Sequence, residues 1–525
     1  MLTLSVNLRT GSGPWEWRGE EEGWGRGADR VRPMDHPALE ARAVTDGTRT
    51  LLVVREKAAD RPTLLRSLCP ARVDGAVYGR VLEECRQWPL QALWIESGPH
   101  GLCLSTGLGG VCPLYLAYDG GHLRGSWQLM DLHDRLGAGR LDEREVMRLL
   151  TGFPRYGHDT LFSTVKRLSE RSTAYADAGG LRLVYPAAAE HAQPSELAGH
   201  VGEAELVGAF EALTDHVFAK RPLNPGRMAA QLSGGMDSTN LAISLALAHP
   251  GAITPCAMLI GGDAGAQQEA RRRAVIEQTG FAADVTVRAA DHPALSPGGL
   301  RRSQAQAVSP LDEPHLEAAD ALAQALRTRD IHTVVAGFGG DEVARTRRTA
   351  GGPARAPVAP SWCGERVRDL LGEVDTGISP ATMAPETALI ALEVATPLMA
   401  RRGLWTVAPF TDPDVVRFGH RLPAVWKKDK YLLHRRLATR GLPEDVVNPV
   451  LRENFGHRMN TAVHRHATGL LRGWGTGLHL VEQGFLDPAV LAETVERAAL
   501  SPADAAPYRT GLYLITAVEL ALRAL

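Results

Sequence analysis

The stretch that most constrains the fold is a glycine-containing turn between an apolar strand pattern and a long helical pattern. Residues 227–232 are mostly apolar, and Ser233-Gly-Gly-Met-Asp-Ser238 follows them directly. A helical pattern then continues through Ala248, so the sequence predicts a strand, a tight turn and a helix in succession. This order is typical of an α/β fold with a parallel sheet, in which ligands bind beyond the carboxyl ends of the strands.

The residue types in this turn suit the binding of a phosphate group. Gly234 and Gly235 let the backbone approach a ligand closely, and the first N–H groups of the following helix carry partial positive charge toward it. Ser233 and Ser238 add hydroxyl donors, while Asp237 offers a hard oxygen ligand for Mg²⁺. Turns of this kind also join many strands and helices that bind nothing, so an ordinary structural role is the alternative.

A second glycine-rich turn is predicted to face the first. From residue 225 onward, apolar runs alternate with helical stretches, which predicts parallel strands joined by crossover helices. The run at residues 332–336 leads into Gly337-Phe-Gly-Gly-Asp-Glu342. Because the carboxyl ends of parallel strands meet at one edge of a sheet, we expect Asp341 to share a metal ion with Asp237. The alternative is again a turn without a ligand.

The first 195 residues are predicted to form a separate β-rich domain. Short alternating or apolar runs such as residues 2–7 and 114–118 recur there, with Gly-rich turns between several of them. This pattern is typical of a two-sheet sandwich. An Ala- and Pro-rich stretch at residues 186–194 indicates a linker, so we divide the chain into residues 1–195 and 196–525.

Composition and charge narrow the classes of partner. The 525 residues carry a formal net charge of −2, which offers no electrostatic reason to expect a nucleic-acid or membrane partner. No apolar run approaches the roughly 18 to 20 residues that span a bilayer, and the N-terminal residues lack a signal-peptide pattern. The six cysteines form no CxxC pair and no metal-ligand spacing, which favours free thiols and a cytoplasmic location.

Several motifs together carry a family resemblance. In chain order they are Gly110-Val-Cys-Pro-Leu-Tyr115, Thr160-Leu-Phe-Ser-Thr-Val-Lys-Arg-Leu168, Ser233-Gly-Gly-Met-Asp-Ser238, Gly337-Phe-Gly-Gly-Asp-Glu342, Ala408-Pro-Phe-Thr-Asp412, Lys430-Tyr-Leu-Leu433 and Arg452-Glu-Asn-Phe455. This set resembles the asparagine synthetase B family, which includes β-lactam synthetases and lasso peptide cyclases. The resemblance implies a glutaminase-like (Ntn-type) β-sandwich domain, followed by a doubly wound parallel-sheet ATP pyrophosphatase domain with helical additions.

The resemblance also implies roles for residues outside the first turn. Gly339 and Lys430 are implied to contact ATP, whose phosphates Mg²⁺ bridges. Glu393 is implied to accept the proton of an attacking amine, although a glutamate on a helix is by default a solvated side chain. Arg452 stands where the family has a lysine, and its guanidinium can stabilise developing charge but cannot give up a proton. Phe338 stands where the family has a glutamate or a tyrosine, so that side chain supplies no acid or base.

One departure from the family bears on the source of nitrogen. Glutamine-using members have a cysteine after the initiator methionine, and this chain has Leu2 there. We therefore expect no glutamine hydrolysis at this terminus, and we expect the amine to come from the substrate itself or from free ammonia. The lactam-forming members share this loss.

These observations lead to one functional prediction with three alternatives. The prediction is an ATP- and Mg²⁺-dependent ligase that adenylates a carboxylate and closes it onto an amine, with release of AMP and pyrophosphate. The favoured member is a lasso-type peptide macrolactam cyclase of natural-product biosynthesis, which could work with a leader peptidase or a peptide-recognition protein. The alternatives are a β-lactam or other small-molecule amide synthetase, an ammonia-dependent asparagine synthetase-like enzyme, and an inactive ATP-binding scaffold.

Overall fold

The computed structural model describes residues 1–10, 13–189, 202–303, 307–344, 357–451 and 453–525. Within these ranges the chain is a mixed α/β protein with antiparallel, mixed and parallel sheets and many helices. The coarse fold class predicted from the sequence is thereby confirmed. The boundary proposed between residues 195 and 196 lies outside the described residues, as does Arg452.

The strands lie mainly in the first 185 residues and around the two glycine-rich turns. In chain order they are β1 (Leu2–Asn7), β2 (Glu16–Trp17), β3 (Trp24–Arg26), β4 (Asp29–Pro33), β5 (Leu39–Thr45), β6 (Thr50–Glu56), β7 (Ala71–Arg72), β8 (Ala92–Gly98), β9 (Gly101–Thr106), β10 (Leu114–Asp119), β11 (His122–Ser126), β12 (Val165–Leu168), β13 (Thr173–Asp177), β14 (Gly180–Val184), β15 (Met228–Gln231), β16 (Thr254–Leu259), β17 (Val285–Arg288), β18 (Thr333–Val335) and β19 (Trp405–Val407).

The helices dominate the rest of the chain. They are α1 (Gly75–Arg86), α2 (Glu143–Thr151), α3 (Glu203–Ala219), α4 (Met236–Ala248), α5 (Gly262–Thr279), α6 (Leu316–Arg327), α7 (Gly340–Ala344), α8 (Glu365–Asp369), α9 (Glu386–Arg401), α10 (Pro413–Arg421), α11 (Ala424–Lys427), α12 (Tyr431–Thr439), α13 (Glu444–Val447), α14 (Gly456–Ala462), α15 (Thr468–Trp474), α16 (His479–Glu482), α17 (Pro488–Ala498), α18 (Pro502–Ala505) and α19 (Arg509–Arg523). A π-helical turn at Val463–Ala467 joins α14 to α15, and short 3-10 helices lie at Leu129–Arg135, Pro225–Arg227, Leu300–Arg302, Leu371–Glu373, Pro409–Thr411 and Lys428–Lys430.

Two seven-stranded sheets form the N-terminal part. The first has the strand order β12-β10-β11-β1-β4-β3-β2, and the second has the order β14-β13-β9-β8-β6-β5-β7. Along β1, buried and partly buried residues alternate, which is the period of a strand with one face on a core. Leu4 of the first sheet and Ile95 of the second belong to the same buried cluster, so the two sheets share a hydrophobic core.

A five-stranded parallel sheet underlies the candidate site. Its order is β17-β16-β15-β18-β19, and each neighbouring pair is parallel. Strand order reverses between β15 and β18. Strands β16 and β17 lie on one side of β15, and β18 and β19 lie on its other side. A crevice at such a reversal, beyond the carboxyl ends of the strands, is where open parallel sheets bind ligands. The two predicted turns follow these two strands.

The C-terminal helices form a second large core. Helices α14, α15, α17 and α19 contribute buried apolar residues to it, together with residues of α2 from the N-terminal part. In the ranges that the structure describes, no helix combines the length and the apolar character needed to cross a membrane.

Candidate active site

The first turn lies between β15 and α4, as predicted. Leu232 N–H donates to the Cys256 carbonyl at 2.8 Å, which extends the strand pairing to the start of the turn. Gly234 has a φ of +91°, a conformation that favours glycine. Gly235 is the N-cap of α4 and has no side chain that could cap the helix. The first N–H groups of α4 are therefore suited to an anion.

The two serines brace this turn. The Ser233 and Ser238 hydroxyl oxygens lie 2.8 Å apart, and Gly235 N–H donates to the Ser233 hydroxyl at 3.3 Å. Ser238 also donates to the Gly235 carbonyl at 3.3 Å. The hydroxyls thus hold the shape of the turn, in addition to the ligand contacts that the sequence predicts for them.

The second turn packs directly on the first. Gly339 has a φ of +93°, so its backbone also favours glycine. A Cβ atom added at Gly337 would lie 2.9 Å from the Ser238 nitrogen, and one added at Gly340 would lie 2.6 Å from the Asp237 Cβ. Only glycine fits such close approaches to the first turn. The structure therefore brings together the two turns that the sequence singles out.

Lys430 joins the two predicted metal-binding carboxylates. Its Nζ lies 2.5 Å from Asp237 Oδ2 and 2.8 Å from Asp341 Oδ1. Lys430 and the preceding Asp429 both have positive φ values, +60° and +49°. Two such non-glycine residues in succession are costly, and strain of this kind occurs often at functional sites. The backbone before α12 thus places the ammonium group between the carboxylates at a conformational cost.

The charge balance around Asp237 favours a further cation. Burial raises the pKa of Asp237; the Lys430 ammonium opposes this rise, and the Asp341 and Glu342 carboxylates reinforce it. Burial by itself lowers the pKa of Lys430, but Asp237 and Asp341 raise it above its ordinary value. Asp237 Oδ1 is buried and has no hydrogen-bond partner among the described residues. A carboxylate oxygen in this state fits the hard-ligand requirement of Mg²⁺.

The protein side chains alone make an incomplete metal site. Among the described residues, no group of three or more His, Cys, Asp and Glu side chains is arranged to hold a metal ion. Mg²⁺ commonly takes one or two carboxylates and completes its shell with water and substrate phosphates. Asp237 and Asp341 fit that mode of binding.

Two buried polar residues outside the predicted motifs support the first turn. Gln268 of α5 donates to the Ser233 carbonyl at 2.8 Å and accepts from Ile260 N–H at 3.0 Å. Arg272, one turn further along α5, donates to the Leu232 carbonyl. Both side chains are buried. A polar residue on a helix gives no sequence signal of such contacts, because its partners come from separate strands.

Glu393 occupies a different environment from the one expected of a solvated helix residue. It lies in α9 with its side chain 7% exposed. The Tyr115 hydroxyl donates to Glu393 Oε1 at 2.8 Å, and Arg167 pairs with Oε2. Tyr115 and Arg167 are cross-strand partners on β10 and β12. The N-terminal sheet thus engages both oxygens of Glu393, and the role of this residue as a base stays a prediction.

Arg452 and Phe338 are the remaining residues singled out from the sequence. Arg452 lies outside the described residues. Its neighbour Glu453 pairs with buried Arg271 of α5, and Glu453 Oε1 would lie 3.2 Å from a Cβ atom added at Gly234. Glu453 therefore lies beside the first turn. Phe338 is partly buried and packs against the large core cluster.

The start of the chain is buried in the N-terminal sandwich. Leu2, where the family cysteine would stand, is 1% exposed. The Met1 nitrogen lies 3.1 Å from Cys112 Sγ, and Cys112 is itself buried and free. The thiol beside Met1 therefore comes from the Gly110-Val-Cys-Pro-Leu-Tyr115 segment.

The chain matches no protein-family model, and it matches no curated protein.

Proposed function

We propose that this protein is an ATP- and Mg²⁺-dependent ligase that activates a carboxylate as its adenylate and joins it to an amine. The observation that carries the proposal is the meeting of two glycine turns at the reversal of a parallel sheet, with Lys430 between Asp237 and Asp341. An anion-binding helix start, two carboxylates and a lysine are the groups that the phosphates of a metal-bound nucleotide require.

Each group has a distinct task in this proposal. The N–H groups at the start of α4 bind phosphate oxygens, and Lys430 contributes a positive charge that the backbone holds in place. Asp237 and Asp341 would hold Mg²⁺, which neutralises phosphate charge when it is bound. Ser233 and Ser238 keep the turn open for the phosphates. The substrate carboxylate attacks the α-phosphorus and pyrophosphate leaves.

The second half of the reaction forms the amide bond. Leu2 supplies no nucleophile for glutamine hydrolysis, so the amine comes from the substrate itself or from free ammonia. In the proposed reaction it is the substrate's own amine, and its attack on the acyl carbon releases AMP. Holding the amine beside the activated carboxyl removes most of the entropic barrier to ring closure. We propose a peptide substrate and a macrolactam product of the lasso type. In this proposal the sandwich is a degenerate glutaminase-like domain and the parallel-sheet part is an ATP pyrophosphatase domain.

One observation favours a second candidate, an ATP-binding protein without turnover. Tyr115 and Arg167 engage both oxygens of Glu393, which favours a structural role for this carboxylate over a role as a base. Binding of ATP without release of pyrophosphate would support this candidate.

The test is a reconstitution with candidate precursor peptides encoded beside the gene. Incubation with ATP and Mg²⁺ should yield AMP, pyrophosphate and a peptide lighter by one water, measured by mass spectrometry. A peptide with an acetylated N-terminal amine is the matched control: it should support pyrophosphate exchange but give no cyclic product. Exchange with a small amino acid and with no peptide would contradict the macrolactam proposal and favour a small-molecule synthetase.

A further inference from the structure

Helix α5 carries two pairs of polar side chains, and each pair holds a different part of the candidate site. Gln268 and Arg272 donate to the carbonyls of the first turn and of the residue before it. Gln267 and Arg271 each lie one position earlier along α5. Residues four apart share one face of a helix, so Gln267 and Arg271 form a neighbouring face with partners of its own.

This neighbouring face holds residues that follow α12. Gln267 Oε1 accepts from Leu451 N–H at 2.9 Å, and Gln267 Nε2 donates to the Leu451 carbonyl at 2.7 Å. Arg271 donates to the Val446 carbonyl at 2.6 Å and pairs with the Glu453 carboxylate. These contacts engage backbone and side chain together, so they fix the position of Glu453 relative to α5.

The Glu453 carboxylate lies against the turn to which we assign phosphate binding. A Cβ atom added at Gly234 would lie 3.2 Å from Glu453 Oε1, and Gly235 is the N-cap of α4. The N–H groups that follow this N-cap are suited to an anion. A carboxylate beside them repels a bound phosphate, and this repulsion is stronger in protein than in water.

Arg271 supplies the charge that compensates Glu453. The side chain of Arg271 is 1% exposed and that of Glu453 is 13% exposed, so salt screens this pair much less than a surface pair. Within the part of the chain that the structure describes, no other carboxylate forms an ion pair with Arg271. Loss of either partner therefore changes the electrostatic potential at the first turn, and the two losses change it in opposite directions.

We infer that Arg271 is a positioning residue for nucleotide binding, which holds Glu453 beside the first turn and cancels the charge that would repel the phosphates. Glu453 in turn limits the positive charge at this turn. The inference rests on the proposed function, because that proposal places the phosphates at this turn. It adds a specific claim, that the balance within one ion pair sets the affinity for the nucleotide.

The experiment measures the dissociation constant of Mg²⁺-bound ATP by isothermal titration calorimetry, for the full chain and its variants. Arg271→Met should weaken ATP binding about tenfold, because Glu453 then repels the phosphates without compensation. Glu453→Gln should strengthen ATP binding about tenfold, because the Arg271 charge is then unopposed. The double variant should return close to the wild-type affinity. Arg271→Lys should also stay close to it, because lysine keeps the charge.

The opposite signs separate this role from damage to the fold, because a misfolded variant does not bind ATP more tightly. Arg472→Met is the matched control; Arg472 pairs with Glu496 on the exposed surface, and the ATP affinity should not change. A wild-type chain that binds no ATP would overturn the proposed function and this inference with it. Wild-type binding with an unchanged affinity in both single variants, or with weaker binding in both, would overturn this inference alone.

Discussion

Substitution of Glu393 by glutamine separates a structural role from a catalytic one. The Arg167 and Glu393 side chains are each 7% exposed, and Tyr115 donates to the same carboxylate. Glutamine keeps the shape of glutamate but removes the charge, which leaves the Arg167 guanidinium buried without its anion. Removing one partner of a buried ion pair costs about 3 to 5 kcal/mol. We expect Glu393→Gln to lie near the lower end, because its amide oxygen can still accept from Tyr115.

The assay is urea unfolding, with the transition midpoint compared at an unchanged m value. Glu393→Gln should unfold at a clearly lower urea concentration than the wild type. Combining Glu393→Leu with Arg167→Met should recover much of the loss, because apolar replacement of a whole buried pair is often neutral or stabilising. Glu496→Gln is the matched control; Glu496 pairs with Arg472 on the exposed surface, and no measurable change is expected.

The same variant tests catalysis through a different readout. If Glu393 accepts the amine proton, Glu393→Gln should abolish the cyclic product but retain pyrophosphate exchange, because adenylation requires only the phosphate turns and the metal. Product formation at the wild-type rate would refute the catalytic role. A wild-type urea midpoint would refute the buried ion-pair reasoning.

Further predictions concern the site and the fold. Asp237→Asn and Asp341→Asn should each abolish ATP-dependent turnover with the circular dichroism spectrum unchanged; near wild-type activity in limiting Mg²⁺ would remove that residue from the site. Gly340→Ala should also lose turnover, because its Cβ would lie 2.6 Å from the Asp237 Cβ; full activity would show that the turns tolerate separation. Added glutamine should not support amide formation, since Leu2 replaces the cysteine; protein-dependent glutamate release would contradict this. Burial lowers the pKa of His158 to about 4, so this side chain takes up a proton more readily in the unfolded chain. Its contribution to the free energy of unfolding should therefore fall by up to about 3 kcal/mol as pH drops from about 6.5 to 4. His36 and His315 have pKa values lowered to about 4 as well, so His158→Phe should make the slope in urea titrations shallower without removing it, and an unchanged slope would contradict the prediction.

The part of the site that could be predicted from the sequence is the part made by local geometry. Each glycine turn follows an apolar strand pattern, and parallel strands place such turns at one edge, so the approach of Asp237 to Asp341 follows from two short segments. The approach of the two turns requires no knowledge of which surfaces pack together. The motif at Lys430 predicts a contact with ATP, whereas the bridge from Lys430 to Asp237 and Asp341 was not predicted.

The contacts that could not be predicted depend on packing between distant segments. Arg167 and Glu393 are 226 residues apart, and their pairing requires the position of α9 against the N-terminal sheet. The backbone at Asp429 is another case. Its residue type predicts an N-cap, but α12 begins after Lys430, which has a left-handed conformation and makes no side-chain cap. The residue preference of aspartate favours an N-cap at Asp429. The contacts of Lys430 with Asp237 and Asp341 instead favour the strained backbone at Asp429 and Lys430.

The most direct test of the central claim is exchange of labelled pyrophosphate into ATP. We predict exchange that requires Mg²⁺ and a carboxylate-bearing substrate peptide. This exchange should be lost in Lys430→Met, which removes the charge held between Asp237 and Asp341. Exchange that persists in Lys430→Met at the wild-type rate, or ATP binding without exchange for any carboxylate substrate, would contradict it.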